Sequence, residues 1–337
     1  MIVSGIGASP AESVYAALAR AEDRLSRLDE RVRSSGFVVG WRRRADIRAV
    51  LGAMSADGDV VYPEDLLLHE LGADIRVPDP AVTKALRLMQ GRRKAQNGGA
   101  ELLSWSGGAW LTGLAPRAPP PGARPSTQIA EVDVDGAGYS DLARFFERLS
   151  KGHTEAPSAG VEECLAVLDL PGLAPLMQAA ALLEAWRLVD PLPSHRWLGF
   201  LIASLLLRVC GRFSSGLAPI EVGLRRRSVP RRLDWAPVSE RMVFWLTMIE
   251  AAANLELDEL IRLGHMKTSI ERKAGEGRCN SRAPDLARLA IEAPVMTTET
   301  ISRSLCITPQ ASLQLVRRMD GVLKEITGRS RYRVWRL

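Results

Sequence analysis

Two groups of side chains near the C-terminus carry types that read nucleic acid. In "TPQASLQLVRRM", Gln310, Ser312, Gln314, Arg317 and Arg318 follow a Thr308-Pro309 start. Amides suit adenine edges, arginines suit guanine or phosphate, and hydroxyls accept either. In "TGRSRYRVWRL", Arg329, Arg331 and Arg333 recur at every second position. Side chains on an extended strand alternate sides, so these three share one cationic face while Tyr332 and Val334 point the other way. A charged edge strand also protects a sheet against aggregation, which leaves the alternation open to both readings.

The elements that must position these residues follow from local signals. "PDLARLAIEAP" reads as a first helix, "TTETISRSLC" as a second, and "TPQASLQLVRRMDGVLKEI" as a third, before the closing strand. Thr297 or Thr298 can cap the second helix, whose Ile301 and Leu305 face inward, and "CIT" supplies a short turn. Thr308 caps the third helix with Pro309 at its first position. Leu313, Val316 and Leu323 bind that helix to the module, and Gln310, Ser312, Gln314 and Arg317 are left outward. This is a helix-turn-helix followed by a wing, over residues 283–337, in which Thr308, Gln310, Ser312, Gln314, Arg317, Arg318, Arg329, Arg331 and Arg333 are the candidate DNA contacts. Winged helices also dock proteins, and that alternative stands beside the first.

Composition sets outer limits. The chain of 337 residues is 46% hydrophobic and 25% charged, with a formal charge of +6, values of a folded protein of two or three domains that permits a polyanionic partner without requiring one. Cys164, Cys210, Cys279 and Cys306 form no C-x-x-C pair, and His69, His153, His195 and His265 have no ligand spacing, so neither a zinc site nor a disulfide framework is expected. Nothing at the N-terminus resembles a secretory signal, and "WLGFLIASLLLRVCG" is too short to span a bilayer, so a cytoplasmic protein without membrane contact is expected.

Nearly every other segment reads as helix. Residues 10–33, "WRRRADIRAVLGAMSADG", "YPEDLLLHEL" and "DPAVTKALRLMQGRRKA" give four helices in an N-terminal region, 1–113. "LAPRAPPPGARPST" at 114–127 is too rich in proline for helix or central strand and reads as a linker. Helix resumes at "SDLARFFERLS", and "KGHTEAPSAG" reads as a flexible connection. "GLAPLMQAAALLEAWRLV" and "HRWLGFLIASLLLRVCG", joined by "DPLPS", are apolar on most faces and form the centre of a core over 128–270, with a further helix at "SERMVFWLTMIEAAANLELDELIRL". The basic runs "GLRRRSVPRR" and "RRRADIR" are candidates to extend a DNA footprint, or simply solvated faces. "QNGGAELLSWSGGAW" has no phosphate-binding glycine pattern.

The stretch from Leu173 to Gly211 resembles the core of Fic-family proteins, which transfer AMP from ATP to a protein hydroxyl. That family places H-P-F-x-[D/E]-G-N-G-R-x-x-R between two such helices. Here Asp190 stands at the position of the catalytic histidine, Pro191 matches the proline, Leu192 replaces the phenylalanine, and "PSHRWLG" lacks the acidic metal ligand and the glycine-rich cradle. Aspartate, with a reference pKa of roughly 3.9, is a weak base beside histidine. Pro193 removes an amide donor, and His195, Arg196 and Trp197 add bulk. His195 as a displaced base and Arg196 as a surviving phosphate ligand are the residues an enzymatic alternative would need. Ala53, Asp57 and Gly58 resemble a family S-x-x-x-E-G segment that restrains the nucleotide site in some members, and "TGRSRYRVW" resembles the "TGRxRxRVY" close of many Fic proteins. The arrangement also resembles an uncharacterised bacterial family, common in rhizobia, that pairs a domain of unknown function with a C-terminal helix-turn-helix.

The resemblance implies a mainly α protein, a degenerate Fic-like helical domain plus a C-terminal winged helix-turn-helix with a small β wing. The expected function is sequence-specific binding of double-stranded DNA by a homodimeric transcriptional regulator, with the Fic-like domain serving dimerisation or the sensing of a small-molecule or protein effector. No cofactor, metal or catalytic residue is expected. Nucleotidyl transfer to a protein, and an interaction module of antitoxin or phage-related type, are the alternatives.

Overall fold

Capping chemistry sets the limits of many elements in the computed structural model, which describes residues 9–74, 76–120, 137–151, 156–226, 230–276, 281–328 and 333–337. Ser9 opens α1 (Pro10–Ser34) with a reciprocal capping box: its hydroxyl accepts from the Glu12 amide while the Glu12 carboxylate accepts from the Ser9 amide. Helices α2 (Val38–Ala56) and α3 (Pro63–Glu70) follow, and Asp79 caps α4 (Pro80–Asn97). A short α5 (Trp105–Thr112) precedes α6 (Ala137–Lys151) and α7 (Pro157–Leu165). Helix α8 (Pro175–Val189) and helix α9 (Trp197–Val209) are joined by a turn of 3₁₀ helix, and the 38-residue α10 (Val238–Gly275) follows. The chain closes with α11 (Ala283–Glu292), β1 (Met296–Thr297), α12 (Thr298–Leu305), α13 (Pro309–Arg318), β2 (Lys324–Glu325) and β3 (Val334–Arg336). Among the described residues no helix is long and apolar enough to cross a membrane.

Several elements depart from the sequence expectation. Helix α10 continues to Gly275, twelve residues beyond the expected Leu263. "PSAG" is the first turn of α7 rather than a flexible connection: Pro157 sits at a position that needs no amide donor, and Gly160 is small because a Cβ there would lie 3.0 Å from the Cβ of Pro191. The third helix of the terminal module stops at Arg318, eight residues before the expected end. Gly321 adopts φ +82°, a left-handed turn that reverses the chain into β2. The linker expected at 114–127 is non-helical from Leu114 to Pro120, and its remainder lies outside the described residues.

Two apolar cores divide the work. In the larger, α8 is buried on all faces and packs on α9, whose Leu198, Leu201, Ile202, Leu205 and Leu206 are wholly enclosed. Buried ion pairs tie the surrounding helices together. Arg92 of α4, fully enclosed, donates to Asp46 of α2 at 2.9 Å and to Glu221 at 3.0 Å. Arg48 of α2 donates twice to Glu256 of α10, at 2.7 and 2.5 Å, and Glu184 of α8 accepts from Arg241 and Trp245 of α10. Each pair satisfies charges that burial would otherwise make costly.

The smaller core belongs to the terminal module. Leu286, Ile301, Leu315, Met319, Leu323 and Trp335 meet there with Ile270 and Ala274 of α10, so the long helix reaches from one core into the other. A three-stranded antiparallel sheet in the order β1-β3-β2 closes it, with Met296 opposite Trp335 and Lys324 opposite Arg336.

The module is held against α2 by an unusual cap. The last carbonyls of α11 have no partners within their own helix. Arg44 donates to the carbonyls of Ala290, Ile291 and Ala293 at 2.9, 2.5 and 3.0 Å, and Arg43 reaches that of Glu292 at 3.3 Å. Gly40, one turn before Arg44, makes the approach possible: a Cβ there would stand 2.1 Å from the Ile291 oxygen. Farther along the junction, Arg336 of β3 donates to Glu64 of α3 at 2.9 Å. Replacing Arg44 with Met removes the cap and leaves the carbonyls in a partly dry junction. We expect a stability loss of about 3 kcal/mol in urea unfolding, with amide exchange rising across residues 283–297; unchanged exchange there would show that the cap does not hold the module.

Candidate nucleic-acid interface

The presenting surface is built from caps and turn geometry. Thr297 caps α12, its hydroxyl accepting from the Thr300 amide at 3.0 Å. At the other end Cys306 takes a left-handed conformation, φ 52° and ψ 46°, which turns the chain sharply after Leu305. Thr308 then caps α13 by accepting from the Ala311 amide at 3.2 Å, with Pro309 in the first helical position. Two helices separated by a three-residue turn result, as the sequence implied.

On α13 the outward stripe is Gln310, Gln314 and Arg317, spaced i, i+4 and i+7, with Arg318 beside it; all four are exposed. Thr308 is exposed as well, though its hydroxyl is engaged in the cap. Ser312 requires correction. It is fully buried, with its hydroxyl 2.9 Å from that of Ser302 and 3.2 Å from the Thr308 carbonyl that accepts from it. Its place at the α12–α13 crossing explains why: Ser312, Leu315, Val316 and Met319 form the inward i, i+3, i+4, i+7 stripe, and a small hydroxyl lets the two helices approach. That spacing was the available signal, and Ser302 is its partner on α12.

The wing is only partly on view. Arg329 and Arg331 lie outside the described residues. Arg333 stands half-buried just before β3 and pairs with Glu325 of β2 at 3.6 Å, while Val334 and Trp335 are both buried. Lys324, not singled out by the sequence, is exposed on β2. Most of the run "RRRADIR" faces protein: Arg42 donates to the Ser215 carbonyl, Arg44 caps α11 and Arg48 pairs with Glu256, while Arg43 is exposed beside the Glu292 carbonyl. For "GLRRRSVPRR", the side chains of residues 225–229 and 231 lie outside the described residues.

The Fic-like segment forms a second, smaller site. Asp190 caps α8 in the left-handed region, φ 45°, and its carboxylate accepts from Arg196 through Nε at 3.0 Å and Nη2 at 2.5 Å. Asp57, Trp186 and Phe200 join them around a cavity of about 220 Å³. The structure thus brings Asp57, Asp190 and Arg196 together. Asp57 also accepts from Lys84 at 2.6 Å. His195 is left out, its ring lying edge-on to Trp197 with centroids 5.6 Å apart, and Pro191 is buried against Gly160. Burial lowers the His195 pKa first, and the charges of Arg87 and Lys84 lower it further. Among the described residues no three metal-ligating side chains converge.

With this geometry in place, comparison defines the class. Residues 283–337 match the model of a helix-turn-helix DNA-binding domain, and residues 162–275 match a family described as a protein of unknown function, DUF1612. The chain therefore joins a DUF1612 domain to a C-terminal helix-turn-helix DNA-binding domain. It is similar to uncharacterized protein y4cF of Sinorhizobium fredii, with 28% identity and coverage of 92% of this chain and 93% of that protein. It also shares a fold with the crystal structure of a Fic family protein from Desulfovibrio desulfuricans G20, at a TM-score of 0.53 and 12% identity, covering 100% of this chain and 97% of that one. The mainly α, Fic-like architecture with a winged helix-turn-helix is as expected.

Ser312 and the exposed stripe should separate cleanly. Ser312→Val deletes the hydroxyl that joins α12 to α13 and should cost about 1–2 kcal/mol of module stability without changing the order of preference among DNA sites. An altered site preference in the folded variant would return Ser312 to the reading surface.

Proposed function

We propose that this protein is a sequence-specific DNA-binding transcriptional regulator, in which a catalytically inactive Fic-like domain supports dimerisation or the sensing of an effector. The observation that carries the reading is the exposed Gln310–Gln314–Arg317 stripe on the second helix of the helix-turn-helix. That stripe offers two amides and a guanidinium at a spacing that fits one face of a helix in the major groove. Arg318 and Lys324 add cations beside it. One small module neutralises few phosphates, so twofold pairing of two chains is the expected route to affinity.

The inactive reading of the Fic-like domain is supported by two facts. The carboxylate of Asp190, at the position where the family resemblance calls for a basic histidine, is occupied by Arg196. The cavity beside it holds only about 220 Å³, below the range of roughly 300–1,000 Å³ of common small-molecule sites. Calorimetry with ATP and Mg²⁺ should give no saturable heat; heat that disappears on changing Arg196 or His195 would restore nucleotide chemistry to this domain.

The decisive experiment for DNA titrates the purified protein against DNA from its own upstream region, across salt, with scrambled DNA as competitor. Specific binding with a steep salt slope is expected. Arg317→Ala should lower the preference for the specific site by about 1–3 kcal/mol. Equal binding to scrambled DNA would remove the regulator reading and leave a protein-docking module.

A further inference from the structure

A feature that the DNA-binding reading leaves unexplained is a cavity of about 570 Å³ at the junction of the helical core and the terminal module. Its volume falls in the range of roughly 300–1,000 Å³ typical of small-molecule sites. Val39, Ile47, Leu67 and Met89 line it from the core, and Pro294 and Val295 from the segment between α11 and α12. Three arginines, Arg42, Arg43 and Arg93, stand on the same walls.

Charge balance distinguishes these arginines. Arg93 is paired with Glu70, and Asp46 is engaged by Arg92 and Gln96. Both acids of the lining are therefore used. Arg42 and Arg43 donate only to neutral carbonyls, those of Ser215 and Glu292, and neither forms an ion pair among the described residues. Arg44 follows them, also bonded to carbonyls alone. Arg42 and Arg43 thus stand on the wall of a largely apolar cavity without an ion-pair partner among the described residues. The neighbouring Arg44 has its pKa pushed down to about 10, first by burial and then by the charges of Arg48 and Arg43.

We propose that this cavity binds a small organic carboxylate with an apolar body, its carboxylate held by Arg42 and Arg43 and its body against Ile47, Leu67, Met89 and Val295. A guanidinium presents two parallel donors that match a carboxylate, and the apolar floor excludes a purely hydrophilic anion. The ligand would touch α2 on one side and the α11–α12 connection on the other. Its occupancy would therefore bear on how the DNA-reading helix is held, a consequence that rests on the proposed DNA function, whereas the site itself does not.

The test uses 2-naphthoate as probe and 2-naphthylmethanol as its neutral counterpart, each titrated calorimetrically into the full-length protein without DNA. Saturable naphthoate binding is expected, with the alcohol weaker by about ten-fold or more. Arg42→Ala/Arg43→Ala should reduce naphthoate affinity by about ten-fold. Because Arg43 also touches Glu292, Val39→Trp provides a second variant that fills the cavity from its exposed edge and leaves every arginine in place; it too should abolish binding. Absence of saturable heat, equal binding of the alcohol, or binding unaffected by both variants overturns the site. Titrating DNA with and without saturating naphthoate then tests the coupling. A shift in DNA affinity of about three-fold or more supports it, and an unchanged affinity with ligand bound overturns it. Binding of naphthoate by a protein that retains no DNA affinity in either state would instead overturn the DNA reading and leave the cavity standing.

Discussion

The arrangement of the molecule depends on Arg44 reaching across from α2 to the open end of α11. A helix that ends against another element leaves several carbonyls without hydrogen, and a guanidinium can satisfy three of them at once. The same cation complements the negative end of the helix dipole. No carboxylate takes part, so the attraction is between a charge and a set of fixed dipoles, and its strength falls off quickly if the helix shifts. Gly40 enforces that distance from the other side, since only a missing side chain lets the Ile291 oxygen come so close. The reading module is thereby tied to one orientation by its own first helix.

That constraint propagates inward through further charges. Arg48, one turn beyond Arg44, is bound to Glu256 of α10, and Asp46 on the adjoining face is bound to Arg92 of α4. Helix α2 is consequently held by α11, α4 and α10 at successive positions along five residues, Arg44 to Arg48. Such buried pairs add less to net stability than their geometry suggests, because desolvation offsets most of the attraction. Their effect is on specificity of arrangement: each side chain has fixed partners at one depth, and a helix rotated by a single residue would leave several charges buried alone. The burial that raises the Glu221 pKa shows the same cost, with Arg92 drawing it back.

Much of this was legible in the sequence, and the remainder was hidden for identifiable reasons. Apolar periodicity located α8 and α9, and the Thr-Pro pair located the start of α13, because both signals are local. The end of α13 was missed where Gly321 needed more weight than the helical pattern of the residues around it. The polarity of Ser312 points outward, although its spacing from Leu315, Val316 and Met319 puts it inward; a hydroxyl is small enough to sit between helices when a second hydroxyl satisfies it. The arginines of "WRRRADIR" read as a DNA-facing or solvated run because their partners are carbonyls and carboxylates about two hundred residues away. Nothing in a local window distinguishes a solvated arginine from one that caps a distant helix.

The retained fold and the altered segment between α8 and α9 are consistent with each other physically. In that segment Asp190 and Arg196 neutralise one another, Gly199 lets Trp186 approach within 2.6 Å of where a Cβ would be, and Pro191 packs on Gly160. Each of these contacts fills space or pairs a charge that a substrate-binding loop would leave open. A site that must admit a ligand carries unsatisfied groups and incurs a stability cost for them. Beside α8 and α9 the charges are paired with one another, whereas Arg42 and Arg43 of α2, at the junction with the terminal module, donate to neutral carbonyls and have no ion-pair partner among the described residues.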